Sequence, residues 1–346
     1  MRFRQLDKIT HLRPGAEITA LRTLSHREAY FRDHFPQFPV MPGVLTLEAM
    51  FQACNWLVRA TDEFAHSVVV LKEARNVKFS GLVRPGQTLT VSAAIKKHSP
   101  SLTTLSADGN VDGATVASGR LVLERFNLAD RYPLRAPVDG SLRKKMQAQF
   151  ALLQADAPGN VAVNPSTYRW MWIDRFTEFV SGRRAVAIKT VSMTDEPIDL
   201  YLPGFPVMPC SLIIEGFGQT GGVLVGASHN FEKRIVLAKV SKAVFHRPAV
   251  VGDTVVYTTE IESDEQEGAL LHGTSCIGGE LHGEVELFFA YLDERTIDGE
   301  LIGPADLLAL LRLYGVYDLG QKADGRPLEI PQRLLAAEIG ALAADD

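Results

Sequence analysis

The stretch HFPQFPVMPGVLTLE, residues 34–48, returns later in the chain as YLPGFPVMPCSLIIE, residues 201–215. Sliding the sequence against itself by 167 positions aligns residues 4–52 with 171–219 without a gap, and 15 of those 49 pairs are identical. The identities include Asp7/Asp174, Gly15/Gly182, Ser25/Ser192, the FPVMP core, Glu48/Glu215 and Gln52/Gln219. Beyond the block the offset falls to 166, with Phe79/Phe245 and Gly86/Gly252 in register, so one residue has been lost in a loop. Two copies, and not many, predict a pseudo-symmetric pair of units packed as a homodimer would be.

Each copy carries the same order of patterns. LDKITHLRPGAEITALRTL and IDRFTEFVSGRRAVAIKTV alternate apolar and polar residues around a Gly-bearing turn, as the two strands of a hairpin do. The repeated loop follows, with Pro42 and Pro209 at positions where a helix start tolerates proline. VLTLEAMFQACNWLVRA and SLIIEGFGQTGGVLVGAS then place apolar residues on nearly every face, which predicts buried helices. Three β-rich runs end each copy, giving an antiparallel sheet around one long helix, an α+β unit. Residues 1–126 and 169–294 read as the two units. Residues 127–168 read as a connector holding a helix, SLRKKMQAQFALLQA, and the loop PGNVAVNPS. Residues 295–346 read as appended amphipathic helices, PADLLALLRLYG and PQRLLAAEIGALAADD, expected to pack on the sheet surface.

Bulk composition narrows the function. A net charge of −5 without a basic stripe argues against nucleic acid as a partner. The opening MRFRQLDKITHLRPG lacks the apolar core of a signal peptide, and no run of eighteen apolar residues is free of charge, so the expectation is a cytoplasmic protein that does not span a membrane. Cys54, Cys210 and Cys276 have neither disulfide-framework nor zinc spacing, so no metal is expected.

Glu48 with Gln52, and Glu215 with Gln219, stand four residues apart on helices that are otherwise apolar. A carboxylate there must find hydrogen bonds, find water or hold a proton. The one imidazole of the loop, His34, is replaced in the second copy by Tyr201, and the loop glycine, Gly43, by Cys210.

The string H-F-P-x-x-P-V-M-P-G-V-L-x-x-E-A-x-x-Q beginning at His34 strongly resembles the hot-dog-fold 3-hydroxyacyl-acyl-carrier-protein dehydratases of fatty acid synthesis. LDKITHLRPG and KFSGLVRPG support the resemblance, which covers residues 4–126 and again 171–293. It implies a double hot-dog, two antiparallel sheets each wrapped around a long central helix and related by a pseudo-twofold axis in one chain. It also implies active sites across the interface, with the loop histidine of one unit facing the helix carboxylate of the other. His34 is then expected to work with Glu215 as base and acid. Gly43 would polarise the thioester carbonyl and Gln219 would orient the carboxyl group. Tyr201, Glu48, Cys210 and Gln52 would form a vestigial second site. No cofactor is implied, and the substrate would arrive on acyl carrier protein or coenzyme A. Further association of fused chains stays open.

Two departures from the family pattern stand out. Gln37 replaces a glycine that Gly204 keeps, leaving the conformation of the first loop open, and a helix glutamate in place of aspartate resembles the branch that only dehydrates. A hot-dog thioesterase and a non-catalytic acyl-binding or complex-forming subunit are the competing expectations. The presence of His34 counts against the thioesterase.

Overall fold

A computed structural model describes residues 3–155, 170–202, 204–293 and 299–344. The loop PGNVAVNPS lies outside them. The first half runs β1 (Lys8–Arg13), β2 (Glu17–Thr23), α1 (Gly43–Thr61), β3 (Val68–Phe79), β4 (Thr88–His98), β5 (Leu102–Val111) and β6 (Ala114–Phe126). Short α2 (Leu128–Arg131) and α3 (Asp139–Gln154) follow. The second half repeats the order as β7 (Arg175–Val180), β8 (Arg184–Thr190), α4 (Glu196–Tyr201), α5 (Cys210–Ser228), β9 (Arg234–Phe245), β10 (Thr254–Asp264), β11 (Gly268–Ile277) and β12 (Glu280–Leu292). It ends in α6 (Pro304–Leu313), α7 (Val316–Leu319) and α8 (Gln332–Ala344).

The residues shared by the two copies are those that fix turns and pin strands. Gly15 and Gly182 sit at φ +78° and +73°, which a hairpin turn needs and a side chain resists. Asp7 accepts a hydrogen bond from the Thr23 N–H at 2.6 Å and pairs with Arg22 at 3.2 Å. Asp174 does the same with the Thr190 N–H at 2.7 Å and with Lys189 at 3.1 Å. Arg22 and Lys189 are both buried, and a second carboxylate balances each: Glu28 at 2.6 Å and Asp195 at 3.1 Å.

The architecture is the double hot-dog, with one refinement. Instead of two separate sheets, the strands form one twelve-stranded sheet in the order β1-β2-β4-β5-β6-β3-β9-β12-β11-β10-β8-β7, joined where β3 pairs antiparallel with β9. At that seam Ala74 pairs with Ala243, the counterpart of Val77, and Val77 pairs with Val240, the counterpart of Ala74. This exchange is what a twofold axis through the seam produces. Pairing the two inner edges also leaves no open strand edge at the centre.

The sheet curves around α1 and α5, which touch each other across the seam. α1 is buried on nearly every face. α5 alone among the described residues is long and apolar enough to cross a membrane, with mean hydropathy 1.2, but 72% of that window is buried inside the protein, as befits a core helix.

The helices after each half occupy related places. α3 follows β6 and lies on β1, while α6 and α7 follow β12 and α7 lies on β7. The C-terminal segment does more than cover the sheet: Leu308, Leu311, Tyr314, Val316 and Leu334 are buried, and the Tyr314 carbonyl accepts the Phe176 N–H at 3.0 Å.

Candidate active site at the seam

His34 follows a short 3-10 turn, Ala29–Arg32, its backbone N–H donating to Tyr30 O at 2.7 Å. Phe35 follows with φ +50°, a left-handed conformation that costs energy in a bulky residue. In the second loop the corresponding strain falls on a glycine, Gly204 at φ +92°, whose counterpart Gln37 is not left-handed. The substitution at Gln37 therefore changes the turn of the first loop.

The ring of His34 is partly exposed to a cavity, yet protein surrounds it closely enough that desolvation pushes its pKa down to about 4, with a small opposing pull from the Val40 backbone. Among the described residues buried Nδ1 has no partner that meets hydrogen-bonding geometry, the Val40 backbone being the group that pulls on the ring, so Nε2 is the nitrogen able to meet a ligand.

Glu215 projects from the second turn of α5. Burial pushes its pKa up to about 7, opposed by hydrogen bonds from Trp170 and Gln219. Trp170 Nε1–H donates to Oε1 at 2.9 Å and Gln219 Nε2–H to the same oxygen at 3.1 Å. Oε2 accepts nothing among the described residues. Gln219 is itself fixed, since its Oε1 accepts the Trp172 N–H at 2.8 Å and the Tyr314 hydroxyl at 3.4 Å.

His34 and Glu215, from opposite halves of the chain, line one cavity of about 710 Å³, together with Asp33, Trp170 and Gln219. Trp170 joins the two sides. Its ring lies edge-on to His34 at 6.3 Å, its N–H donates to Asp33 Oδ2 at 3.0 Å, and its indole holds Glu215. The sequence reading missed this residue. The signal was available one position before the aligned block, where the same offset places Trp170 opposite Phe3, whose carbonyl accepts from Gln52 just as that of Trp170 accepts from Gln219.

Gly43 opens α1, and a Cβ there would stand 3.2 Å from the Phe79 ring; it is not among the residues lining the cavity. The remaining expected residues gather elsewhere. Glu48 accepts from Gln52 at 2.8 Å and, across the seam, from the Ser211 hydroxyl at 2.7 Å. Tyr201 is buried near it, its pKa pushed up by burial and then by Glu48. Burial and then Glu48 likewise raise the Cys210 thiol, which donates to Leu71 O at 3.4 Å. Tyr201 and Cys210 border a void of only about 20 Å³. No cluster of three or more potential metal ligands occurs among the described residues.

Comparison with known proteins bears on the family and the fold. A FabA-like domain matches residues 1–120 and 164–281. A protein named 3-hydroxyacyl-[acyl-carrier-protein] dehydratase FabZ from Ruminiclostridium cellulolyticum is 34% identical over 119 residues, 34% of this chain and 84% of that protein. The like-named protein of Symbiobacterium thermophilum is 34% identical over 38% of this chain and 94% of its own length. Among solved structures, a MaoC-like dehydratase superposes with TM-score 0.51 at 14% identity, covering 81% of this chain and 99% of its own. A Lactobacillus plantarum protein provisionally described as an oleoyl thioesterase superposes with TM-score 0.52 at 11% identity, covering 81% and 98%. At such identities the structures speak for the shared fold alone. With the double FabA-like match across more than half its length, the chain belongs to the FabA-like family of hot-dog proteins.

Proposed function

We propose that the protein removes water from a 3-hydroxyacyl thioester to give the trans-2-enoyl thioester, at one composite site built from His34 and Glu215. The carrier in this reading is acyl carrier protein, which the names of the FabZ relatives specify for those proteins. The observation that carries it is the asymmetry of the two carboxylates: Glu215 shares an open cavity with an imidazole, whereas Glu48 has its oxygens bonded by Gln52 and Ser211, and the void that Tyr201 and Cys210 border is only about 20 Å³.

The chemistry follows from the protonation states. With its pKa lowered to about 4, His34 is neutral near pH 7 and Nε2 can accept the α-proton. The electrons of the broken Cα–H bond form the Cα=Cβ bond as the Cβ–O bond breaks. Glu215, raised to about 7, holds a proton over much of the working range and delivers it to the departing hydroxyl as water forms. Return of one proton from the imidazolium to the carboxylate, through solvent, resets the site. Gln219 orients the carboxyl group. Gly43, the donor that the family resemblance assigns to the thioester oxygen, does not line this cavity, so this reading gives it no part in the step.

The test is direct. Purified protein given a 3-hydroxyacyl thioester should yield the 2-enoyl product. His34→Ala should cost about 10²- to 10⁴-fold in kcat/KM, while Tyr201→Phe should leave it near the wild-type value. Equal losses in both variants would overturn the composite site, and release of free thiol without enoyl product would identify a thioesterase instead.

A further inference from the structure

Gln52 and Gln219 hold their glutamates through networks that match bond for bond, with one exception. Gln52 Oε1 accepts the Gln5 N–H at 2.9 Å, and its Nε2 donates to Phe3 O at 2.9 Å and to Glu48 Oε1 at 2.8 Å. Gln219 Oε1 accepts the Trp172 N–H at 2.8 Å, and its Nε2 donates to Trp170 O at 3.2 Å and to Glu215 Oε1 at 3.1 Å. The bond without a counterpart comes from the Tyr314 hydroxyl, which meets Gln219 Oε1 at 3.4 Å. A side-chain amide offers two acceptor and two donor sites. Gln219 has all of them filled, whereas Gln52 leaves one acceptor site empty among the described residues.

Tyr314 belongs to neither repeat. It stands between α6 and α7, buried, and is held from two sides. Its N–H donates to Leu310 O at 3.0 Å, its carbonyl accepts the Phe176 N–H at 3.0 Å, and its ring lies edge-on to that of Phe176 at 6.1 Å. Gly315, left-handed at φ +73°, then turns the chain. Further on, the Gln321 N–H donates to Phe179 O at 2.9 Å and its carbonyl accepts the Ser181 N–H at 2.8 Å, which lays the segment along β7. These backbone bonds aim the hydroxyl at Gln219.

The direction of that bond is fixed. A flipped Gln219 amide would set its NH₂ against the Trp172 N–H and its oxygen against the Trp170 carbonyl, so Oε1 faces Tyr314 and the hydroxyl donates. Donation to the amide oxygen stops the amide from turning and makes its N–H a stronger donor to the carboxyl group beyond, because bonds in a chain polarise one another. At 3.4 Å it is the longest bond on Gln219, which keeps the effect small.

We infer that Tyr314 is a positioning residue for the reaction, holding Gln219 and through it the Glu215 carboxyl group, so that the active site needs the segment after the second repeat as well as both repeats. The inference rests on the dehydratase reading for what Glu215 does, while the bonding is independent of the reaction. The other ionisable groups tied to Glu215 through Trp170 are Asp33 and His34, and neither touches the Tyr314 hydroxyl.

The experiment compares Tyr314→Phe, Gln219→Met and the double variant with the wild type. Tyr314→Phe removes one oxygen and keeps the packed ring, so Tm should stay near the wild-type value. Its kcat on a 3-hydroxyacyl pantetheine thioester should fall roughly 2- to 10-fold with KM nearly unchanged, the equivalent of one hydrogen bond. The alkaline limb of its pH profile should move upward by about 0.1 to 0.6 of a pH unit, the fraction by which one bond in a chain strengthens the next. In the Gln219→Met background the same substitution should change nothing further, a non-additivity that a packing role would not produce. Carbon-13 NMR titration of glutamate-labelled protein, with the Glu215 signal assigned from Glu215→Gln, should show the upward move without substrate. That movement supports the inference even if no 3-hydroxyacyl thioester is dehydrated. A working dehydratase whose kcat, pH limb and Glu215 titration ignore Tyr314→Phe, or equal losses with and without Gln219, would overturn it.

Discussion

Glu48 and Glu215 occupy equivalent helix positions, each with a glutamine one turn on, and burial raises both to about 7. Their surroundings differ. Glu48 has both oxygens engaged, one by Gln52 and the other by Ser211, where the first half offers Val44 to Glu215. Glu215 concentrates its bonds on one oxygen, and among the described residues nothing donates to the other, beside an open cavity. The same desolvated carboxyl group is thus tied on both oxygens in one half and borders a cavity in the other, where the proposed reaction uses it as a proton donor. The two surroundings differ in side-chain volume as well as in chemistry: where Gly218, Gly222 and Gly226 line the cavity beside Glu215, the equivalent positions of the first half hold Phe51, Asn55 and Arg59.

Another pair of regions shows replacement without loss of role. At the far end of α1, Asp62 is held by His98 at 3.1 Å and Arg125 at 2.7 Å. At the far end of α5 the roles are exchanged: His229 meets Asp264 at 2.9 Å, and Tyr291, the counterpart of Arg125, joins them at 3.0 Å from the imidazole. A polar cluster ties the helix end to the sheet in both halves, although no residue in it is shared.

The sharpest way to break the comparison of the two carboxylates is to neutralise each. Glu215→Gln should lower kcat/KM by roughly 10²-fold or more, whereas Glu48→Gln should leave turnover near that of the wild type. Comparable losses from both would mean that the first-half site is functional. Arg59→Ala should next destabilise the protein by about 3 kcal/mol in urea unfolding, because it leaves buried acceptors on Asn55, His66 and Ser67 unpaired. It should give the first half no activity of its own.

Glu48→Gln also sharpens the electrostatic side. A carboxyl group raised on folding from 4.5 to about 7 contributes stability that is fully present below pH 4.5 and is lost as pH rises toward 7. Removing it should flatten that loss by up to about 3 kcal/mol, measured as urea midpoints across the window. The smallest expected effect is at Trp170. Activity should need neutral His34 and protonated Glu215, and so peak between about pH 4 and about pH 7. The Trp170 hydrogen bond favours the ionised form of Glu215, so Trp170→Phe, which copies Phe3 of the closed half, should move the alkaline limb of the pH profile upward.

Much of the fold was legible because hairpins, turn glycines and buried helices leave short-range patterns, and the doubling of the pattern gave the pseudo-dimer. The helix residues Glu215 and Gln219 were legible for the same reason, since an acid and an amide one turn apart on an apolar helix are conspicuous. The amphipathic spacing of the C-terminal helices predicts surface cover, although Leu307 and Leu310 line the cavity. Amphipathic spacing marks a face to be buried, without saying whether protein or ligand will cover it. Gly218 and Gly222, which line the cavity without a close neighbour, carry no signal of their own, because in sequence such a glycine looks like one required by close packing.

By itself, the sequence determined two matched units, their strands and central helices, and the loop imidazole with its helix carboxylates, all set by backbone periodicity and local turn chemistry. Tertiary structure alone decided that β3 and β9 fuse the sheets, that Trp170 ties His34 to Glu215, and that a cavity opens beside Glu215. The physical reason is that empty space is a difference between side-chain volumes contributed by distant segments, so it appears only when those segments are packed together.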